Sequence, residues 1–487
     1  MPPNLNTRVL PNTYRDSGTL MSLAARLQSI EGVTRAAAIM ATPRNVELLR
    51  SMFDVEVQAS ASDLLIVVEG EAAEAALARV DELLAAPRRA SAAMRQPQNF
   101  AVISVPGPFA AREARRAMRD GMHVFLFSNG VSLEDEIALK QEAHKRGLLL
   151  MGPDCGTAII DGIPIGFANR VRRGTIGVVG ASGTGIQEIT TLVHRIGLGI
   201  SHAIGTGSRD LSDDVGGLST LFGISLLARD PLTEVIAIVS KPPSASVAAR
   251  VVDAARATGK RVVTCFVGGA KTLEDAALES CGLPPFESGG LAAALQKGLF
   301  SGGTLASEAR ALTGGDVIDL GADEYTRGRP HPMIDPTIRI ERIGATPAEV
   351  TLLLDVVLGE GAHPDPAGAL VDAIRARGGK TVASVCGTDE DPQNRGAQVA
   401  KLEAAGVIVC RSNAAAARED LRELPTMPAR RTQQETTLLG APIVARNLGL
   451  SSFADTLEAH GVAVNRIEWK PPAGGDEELA RILEQIL

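Results

Sequence analysis

The chain has 487 residues, of which 45% are hydrophobic and 22% charged, and its formal net charge is −8. This length and composition predict a globular protein of about three or four domains. The net negative charge argues against nucleic acid and against anionic membrane as partners, because both need a clustered basic surface. No stretch approaches the roughly 18 uninterrupted apolar residues of a membrane span, and the N-terminus lacks an apolar signal core, so we expect a cytoplasmic protein.

The five cysteines are odd in number, far apart and without a CxxC pair, so they predict neither a disulfide framework nor a metal site. Cys265, Cys386 and Cys410 lie in apolar runs, which predicts small buried residues in strands.

The first part of the chain, residues 1–97, predicts a small α+β lobe and a linker. Strands are expected at 34–40 and 63–70, and helices at 45–53 and 72–86. In residues 98–170, three apolar strands alternate with two amphipathic helices, which predicts parallel strands with right-handed crossovers in a half-Rossmann layout.

Two similar blocks follow, at 171–308 and 309–428, and in each of them apolar strands alternate with helices. This pattern predicts an α/β fold with two flavodoxin-like domains. Residues 429–487 form a C-terminal extension that ends in a predicted helix and is expected to dock onto the preceding domains.

A candidate anion site follows the predicted strand 176–180, which runs into ASGTGIQE at 181–188. The first N–H groups of a helix have no intrahelical partner and lie at the positive end of its dipole, which suits a phosphate or carboxylate. Ser182 and Thr184 add hydroxyl donors. Glycines that allow close backbone approach are Gly180, Gly183 and Gly185. The alternative is an ordinary strand–helix joint without a ligand.

Three upstream segments accompany this loop: ISVPGPFA at 103–110, FLFSNGVSLEDE at 125–136 and MGPDCG at 151–156. Together the four segments resemble the α subunit of succinyl-CoA synthetase and other NDP-forming acyl-CoA ligases. The chain as a whole resembles the FdrA branch of that superfamily. The resemblance implies a Rossmann-like, CoA-binding-like domain at 98–170 and ligase domains in the two later blocks.

In the ligases, two helix N-termini hold a phosphate that a mobile histidine carries between sites. The resemblance puts Ser182 and Thr184 on the first N-terminus, and Gly361, Ala362 and His363, from GEGAHPDPA at 359–367, on the second. The carboxylate that orients the phosphohistidine falls at the end of the predicted strand VIAIVS, where this chain has Ser240 and Lys241. His363 is a candidate substitute for the carrier histidine, because no histidine occurs from 203 to 330; a plain loop residue is the alternative.

Two further departures concern ligands. No GxGxxG-like turn precedes the Rossmann-like block, which makes CoA binding doubtful, and neither a Walker A motif nor an ATP-grasp-length domain is present for a nucleotide. No cofactor is therefore firmly expected.

The FdrA resemblance implies a subunit of an oxamate carbamoyltransferase in allantoin catabolism, which converts oxalurate and phosphate to oxamate and carbamoyl phosphate. Phosphate or carbamoyl phosphate would be the substrate, Lys241 would neutralise developing charge, and other subunits of a hetero-complex would be partners. The alternatives are an NDP-forming acyl-CoA ligase and a non-catalytic scaffold or regulator.

Further polar residues lie in loops next to strands. Asn129 and Asp154 stand at strand ends, where ligands of α/β proteins bind, although turn chemistry alone also explains both. Arg327 and Arg329, in a loop with His331, are candidates for anion binding or for a subunit contact.

Overall fold

The structure is a computed structural model. It describes residues 4–11, 13–15, 17–28, 30–53, 55–60, 62–84, 96–287, 296–326, 330–430, 432 and 436–472. The chain divides into two compact units: the first contains residues 1–122, 128–132 and 444–487, and the second contains 123–127 and 133–443. Within the described ranges, no helix combines the length and the apolar character needed to cross a membrane.

The first unit opens with a small α+β lobe, as predicted. Its elements are β1 (Leu5–Leu10), α1 (Ser17–Gln28), β2 (Val33–Met40), α2 (Pro43–Phe53), β3 (Leu64–Gly70), α3 (Ala73–Ala78) and α4 (Val80–Leu84), followed by β4 (Phe100–Ile103) and α5 (Gly107–Arg119). The antiparallel sheet has the order β1-β3-β2. Successive residues of β3 are buried on both faces because Ile66 joins the core with α1 and Leu65 the core with α2.

The second unit begins with a short parallel pair and a hairpin. Its first elements are β5 (His123–Leu126), α6 (Leu133–Arg146), β6 (Leu150–Met151), β7 (Thr157–Ile160) and β8 (Ile163–Gly166). Strands β5 and β6 are parallel, as the βαβ spacing predicted, whereas the antiparallel hairpin β7–β8 was not predicted.

The first flavodoxin-like block forms one sheet with this hairpin. It contains β9 (Arg173–Ala181), α7 (Gly183–Ile196), β10 (Ile200–Gly205), α8 (Leu218–Arg229), β11 (Val235–Ser240), α9 (Ala245–Arg256), β12 (Arg261–Phe266) and α10 (Leu273–Ser280). The strand order is β12-β11-β9-β10-β7-β8, with β9 to β12 parallel and β7 antiparallel to β10.

The second block is a five-stranded parallel sheet whose first strand begins at residue 296, and the predicted boundary at 308/309 falls inside its first helix. It contains β13 (Gln296–Phe300), α11 (Gly303–Thr313), β14 (Asp316–Asp319), α12 (Asp323–Thr326), α13 (Thr337–Gly344), β15 (Thr351–Val357), α14 (Gly368–Arg377), β16 (Thr381–Cys386), α15 (Arg395–Ala404), β17 (Ile408–Cys410) and α16 (Asn413–Arg418). The order β14-β13-β15-β16-β17 is the 2-1-3-4-5 order of flavodoxin, which confirms the predicted fold. Ligands of such sheets bind beyond the carboxyl ends of the strands, where the order reverses.

The C-terminal extension completes the first unit. It contains β18 (Val444–Leu448), α17 (Ser451–Ala459) and β19 (Ala463–Ile467). Strand β18 is parallel to β4 on one side, pairing Leu448 with Ile103, and parallel to β19 on the other. All five cysteines are free and buried, as predicted for Cys265, Cys386 and Cys410.

Candidate functional site

The predicted anion loop is a strand–turn–helix joint, as expected. Strand β9 ends at Ala181, and α7 begins at Gly183 with Ser182 as its N-cap. The Ser182 hydroxyl accepts a hydrogen bond from the Gly185 N–H (3.1 Å). A Cβ at residue 185 would lie 2.2 Å from the Ser182 Oγ, so glycine at this position permits the cap. Gly180 lies inside β9, where a Cβ would meet the Val239 carbonyl oxygen at 1.9 Å.

A second helix N-terminus, which sequence analysis missed, contacts this one. Helix α11 begins at Gly303, and the Thr304 N–H donates to the Thr184 Oγ1 (3.3 Å). The Ser182 hydroxyl donates to the Thr304 Oγ1 (2.8 Å). We call residues 182–185 and 302–305 the paired N-termini. The sequence does contain a signal for the start of α11, because SGGTLASEA follows β13 much as ASGTGIQE follows β9.

A buried ion pair fixes the start of α11. The Asp355 carboxylate accepts from the Ser301 N–H (2.8 Å) through Oδ1 and from the Gly302 N–H (2.7 Å) through Oδ2. The Arg339 Nη2 lies 3.0 Å from the Asp355 Oδ1, and both side chains are almost fully buried. These bonds hold two backbone donors in place and leave the Gly303 N–H at the end of the helix dipole.

Lys241 lies beside the paired N-termini. It follows β11, and a Cβ on Gly303 would lie 3.1 Å from the Lys241 Nζ and 2.5 Å from the Asp319 Oδ2. Burial raises the pKa of the Asp319 carboxyl, while the charge of Lys241 opposes that shift. Asp319, at the end of β14, was not predicted as a site residue.

Asp154 belongs to the same electrostatic neighbourhood. The loss of solvent around its carboxyl raises its pKa, and a hydrogen bond with Ser208 and the charge of Lys241 act in the opposite direction. The residue has a left-handed backbone with φ of 57°, a conformation that aspartate tolerates better than most residues. Two carboxyls of raised pKa therefore share one lysine.

The segment expected to supply the second helix N-terminus is instead a loop, and this part of the prediction is corrected. Helix α14 begins only at Gly368, whose N–H donates to the Asp365 Oδ1 (3.2 Å). The His363 N–H donates to the Met333 carbonyl (2.7 Å), so it is not an open amide. Gly361 packs beside Phe167, and Ala362 follows it in the turn. Ligand binding by Gly361 and Ala362, and catalysis by His363, stay predictions.

The remaining predicted site residues are Asn129, Arg327 and Arg329. Asn129 belongs to the first unit and is exposed. Arg327 and Arg329 lie outside the described residues. Their neighbour His331 is described: burial lowers its pKa to about 4, so the imidazole is neutral at pH 7, and its Nδ1 accepts from the Met333 N–H (3.2 Å).

Two flavodoxin-like sheets whose helix N-termini meet beyond their carboxyl edges define a protein of the CoA-ligase class, and family models agree. "CoA-ligase" matches residues 286–422, "CoA binding domain" matches 171–268, and "AllF, heavy metal-associated domain" matches 3–99. The CoA-binding match thus falls on the block that sequence analysis assigned to the first ligase domain.

Relatives identify the family more narrowly. The chain is 40% identical over 493 residues to the uncharacterized protein YahF of Escherichia coli (strain K12), covering 83% of this chain and 96% of that protein. It therefore belongs to the FdrA-like family of the NDP-forming acyl-CoA ligase superfamily, which is similar to the succinyl-CoA synthetase α subunit.

More distant matches are partial. The α subunit of ADP-forming succinate–CoA ligase from Aquifex aeolicus (strain VF5) is 32% identical over 149 residues, covering 29% of this chain and 48% of that protein. The chain thus spans about half the length of that relative. A solved structure, a dinucleotide-forming acetyl-coenzyme A synthetase of Ca. Korarchaeum cryptofilum, has 15% identity and a TM-score of 0.31, covering 76% of this chain and 87% of that one, too low a score to support a conclusion.

The N-terminal lobe lacks the thiolate and imidazole ligands of heavy-metal sites. Residues 3–99 contain neither cysteine nor histidine, and their only soft donors are methionine thioethers. Among the described residues of the chain, no group of three His, Cys, Asp or Glu side chains is arranged to hold a metal ion. The lobe's residues therefore do not fit a thiophilic metal site.

Proposed function

We propose that the chain is one subunit of an enzyme of the NDP-forming acyl-CoA ligase type, and that it binds the phosphate of an acyl phosphate at the paired N-termini. The observation that carries this proposal is the direct contact of two helix starts, from two sheets, beside Lys241. The family assignment supports the same reading.

The chemistry of the site supports this substrate. Charge on phosphoryl oxygens is stabilised by backbone N–H groups at helix starts and by an ammonium group, and the paired N-termini and Lys241 supply both. The carboxyl pKa values of Asp154 and Asp319 are raised above the ordinary range, and we take both groups as candidate proton donors or acceptors beside the phosphate.

A carbamoyltransferase is the second candidate, and Lys241 is the feature that favours it. The resemblance puts a carboxylate at this position in ligases that use a phosphohistidine, and this chain lacks histidine from 203 to 330. A cation at that position suits a phosphate held beside a carbamoyl group and does not suit a carrier imidazolium. Carbamoyl phosphate is itself an acyl phosphate, so both candidates use the same anion site.

The first test is phosphate binding by the full chain, measured by equilibrium dialysis. We expect Lys241→Met to weaken binding by about tenfold or more, since a hydrogen bond to a charged group contributes about 1.5–3 kcal/mol. We expect Ser182→Ala to weaken it as well, because that variant loses the bonds that hold the start of α7 against the start of α11. Lys297→Met is the matched control, because Lys297 lies at the opposite end of β13 and pairs with Asp316 (3.3 Å). Equal affinities in all four proteins would contradict the proposal.

The second test separates the two reactions. The chain is combined with the proteins encoded beside it and supplied either with a carboxylic acid, CoA and ATP or with oxamate and carbamoyl phosphate. Thioester formation that Lys241→Met abolishes would support the ligase, and ureido product with phosphate release would support the carbamoyltransferase. Activity in either assay that is unchanged in the Ser182→Ala and Lys241→Met variants would support a scaffold role.

A further inference from the structure

A cleft of about 550 Å³ lies in the second unit, at the C-terminal end of α7 rather than at its N-terminus. Five arginines and two carboxylates line it, so its lining carries an excess of positive charge. The arginines come from separate parts of the chain: Arg172 in the segment before β9, Arg195 in α7, Arg395 at the start of α15, and Arg411 and Arg422 around α16.

Two of these arginines are neutralised within the protein. Arg411 pairs with Glu274 (2.7 Å) and Asp420 (2.7 Å), and Arg422 pairs with Asp420 (2.6 Å). Both guanidinium groups also stack on Phe286, at 3.8 Å and 4.9 Å from its ring centre. These two residues form a rigid, charge-balanced wall.

The other three have neutral partners. The Arg172 Nη1 donates to the His194 carbonyl (2.8 Å), the Arg195 Nη1 to the Arg411 carbonyl (2.7 Å), and the Arg395 Nε to the Val385 carbonyl (3.2 Å). A carbonyl orients a guanidinium without cancelling its charge, and each group keeps further N–H donors. Across the described residues, none of the three has a carboxylate within ion-pair distance.

The charges act on one another. Burial lowers the pKa of Arg195 to about 10, and the charge of Arg395 contributes to the same shift. The charges of Asp389 and of the buried Glu188 oppose the lowering of the Arg395 pKa by burial, and Glu188 also acts on Arg195, but neither of these described carboxylates forms an ion pair with the two arginines. The Asp389 Oδ1 instead accepts from the Gly396 N–H (2.7 Å) at the start of α15, and Glu423 is exposed. The cleft therefore keeps three guanidinium groups that a multivalent anion can pair with directly.

The apolar part of the lining narrows the class of ligand. Val399 and Val409 contribute to the wall, and the Leu421 side chain is 68% exposed. The volume lies within the roughly 300–1,000 Å³ typical of small-molecule sites. We infer that this cleft binds a diphosphate attached to an apolar or aromatic group, such as a nucleoside diphosphate, with Arg172, Arg195 and Arg395 holding the phosphates and Leu421 covering the ring.

The test is isothermal titration of the full chain with ADP, AMP and inorganic pyrophosphate. We expect ADP to bind saturably, AMP about tenfold more weakly, and Arg395→Gln and Arg195→Gln each to weaken ADP about tenfold or more. Arg146→Gln is the matched control, since Arg146 lies on the exposed face of α6 and pairs only with Glu142 (2.8 Å) among the described residues. Melting curves identify any variant that has failed to fold.

A further variant separates this cleft from the anion site of the proposed function. Ser182→Ala, at the other end of α7, is expected to leave ADP affinity unchanged. Loss of ADP binding in Ser182→Ala, or ADP binding that Arg195→Gln and Arg395→Gln leave unchanged, would overturn the inference, as would the absence of saturable binding to the native chain. Pyrophosphate binding as tight as ADP would overturn the part assigned to Leu421.

Discussion

Replacing Asp355 by asparagine is expected to destabilise the second unit strongly. Both oxygens of this carboxylate accept backbone N–H bonds, from Ser301 and Gly302, so an asparagine must turn its own NH₂ group toward one donor. The change also leaves Arg339 buried without its counter-charge. Removing one partner of a buried pair costs about 3–5 kcal/mol, and an unsatisfied buried donor costs about 1–3 kcal/mol within that sum.

The assay is the free energy of unfolding from urea titrations followed by circular dichroism, with amide hydrogen exchange of 296–313 to localise the effect. Asp316→Asn is the matched control, because its pair with Lys297 is exposed and contributes about 0–1 kcal/mol. Phosphate affinity is expected to fall only in Asp355→Asn, because only that variant disturbs the start of α11. A loss below about 1 kcal/mol in Asp355→Asn would refute the role given to this carboxylate.

Three further predictions follow from the same region. Asp319→Asn is expected to tighten phosphate binding, increasingly as pH rises, because the ionised Asp319 beside Gly303 repels the anion; dialysis at several pH values that shows weaker binding would count against this. Gly185→Ala is expected to lower stability by about 1 kcal/mol or more, measured by thermal melting, since it breaks the Ser182 cap, whereas Gly344→Ala has open space and is the control. Burial raises the pKa of Glu308 from 4.5 to about 7, so between these pH values the folded chain holds a proton that the unfolded chain has released. The free energy of unfolding therefore falls as pH rises from 4.5 to about 7. Glu308→Gln is expected to flatten this slope, measured by unfolding titrations at several pH values, and an unchanged slope would exclude Glu308 as its source.

The sequence pattern predicted the strands and helices that a short run of neighbouring residues specifies. Strands with long apolar runs, such as β9 and β15, stood out because both faces of a parallel strand are buried. Strand β13 was missed because QKGLF combines two polar residues and a glycine with only two apolar ones, and α11 was missed with it. Strand β18 finds its partner β4 more than 300 residues away, a pairing that no local pattern contains.

The candidate site was predicted in part for the same reason. Ser182, Thr184 and the glycines around them are encoded in one contiguous loop. The opposing surface is not, because Asp319 and Thr304 reach it only through the strand order of the second sheet. The resemblance put a helix N-terminus at residues 361–363, but the Asp365 carboxylate caps the Gly368 N–H and the helix begins only there.

The pairing of β18 with β4 has a consequence for synthesis on the ribosome. Strand β4 is synthesised early, whereas β18 is among the last described elements to be made. The pairing of β4 with β18 therefore cannot form until nearly the entire chain has been synthesised. The second unit is almost continuous in sequence and has all its strands before residue 443 is translated. The unit that starts first is therefore completed last, and during that interval β4 has an unpaired edge, the kind of surface on which nascent chains associate incorrectly.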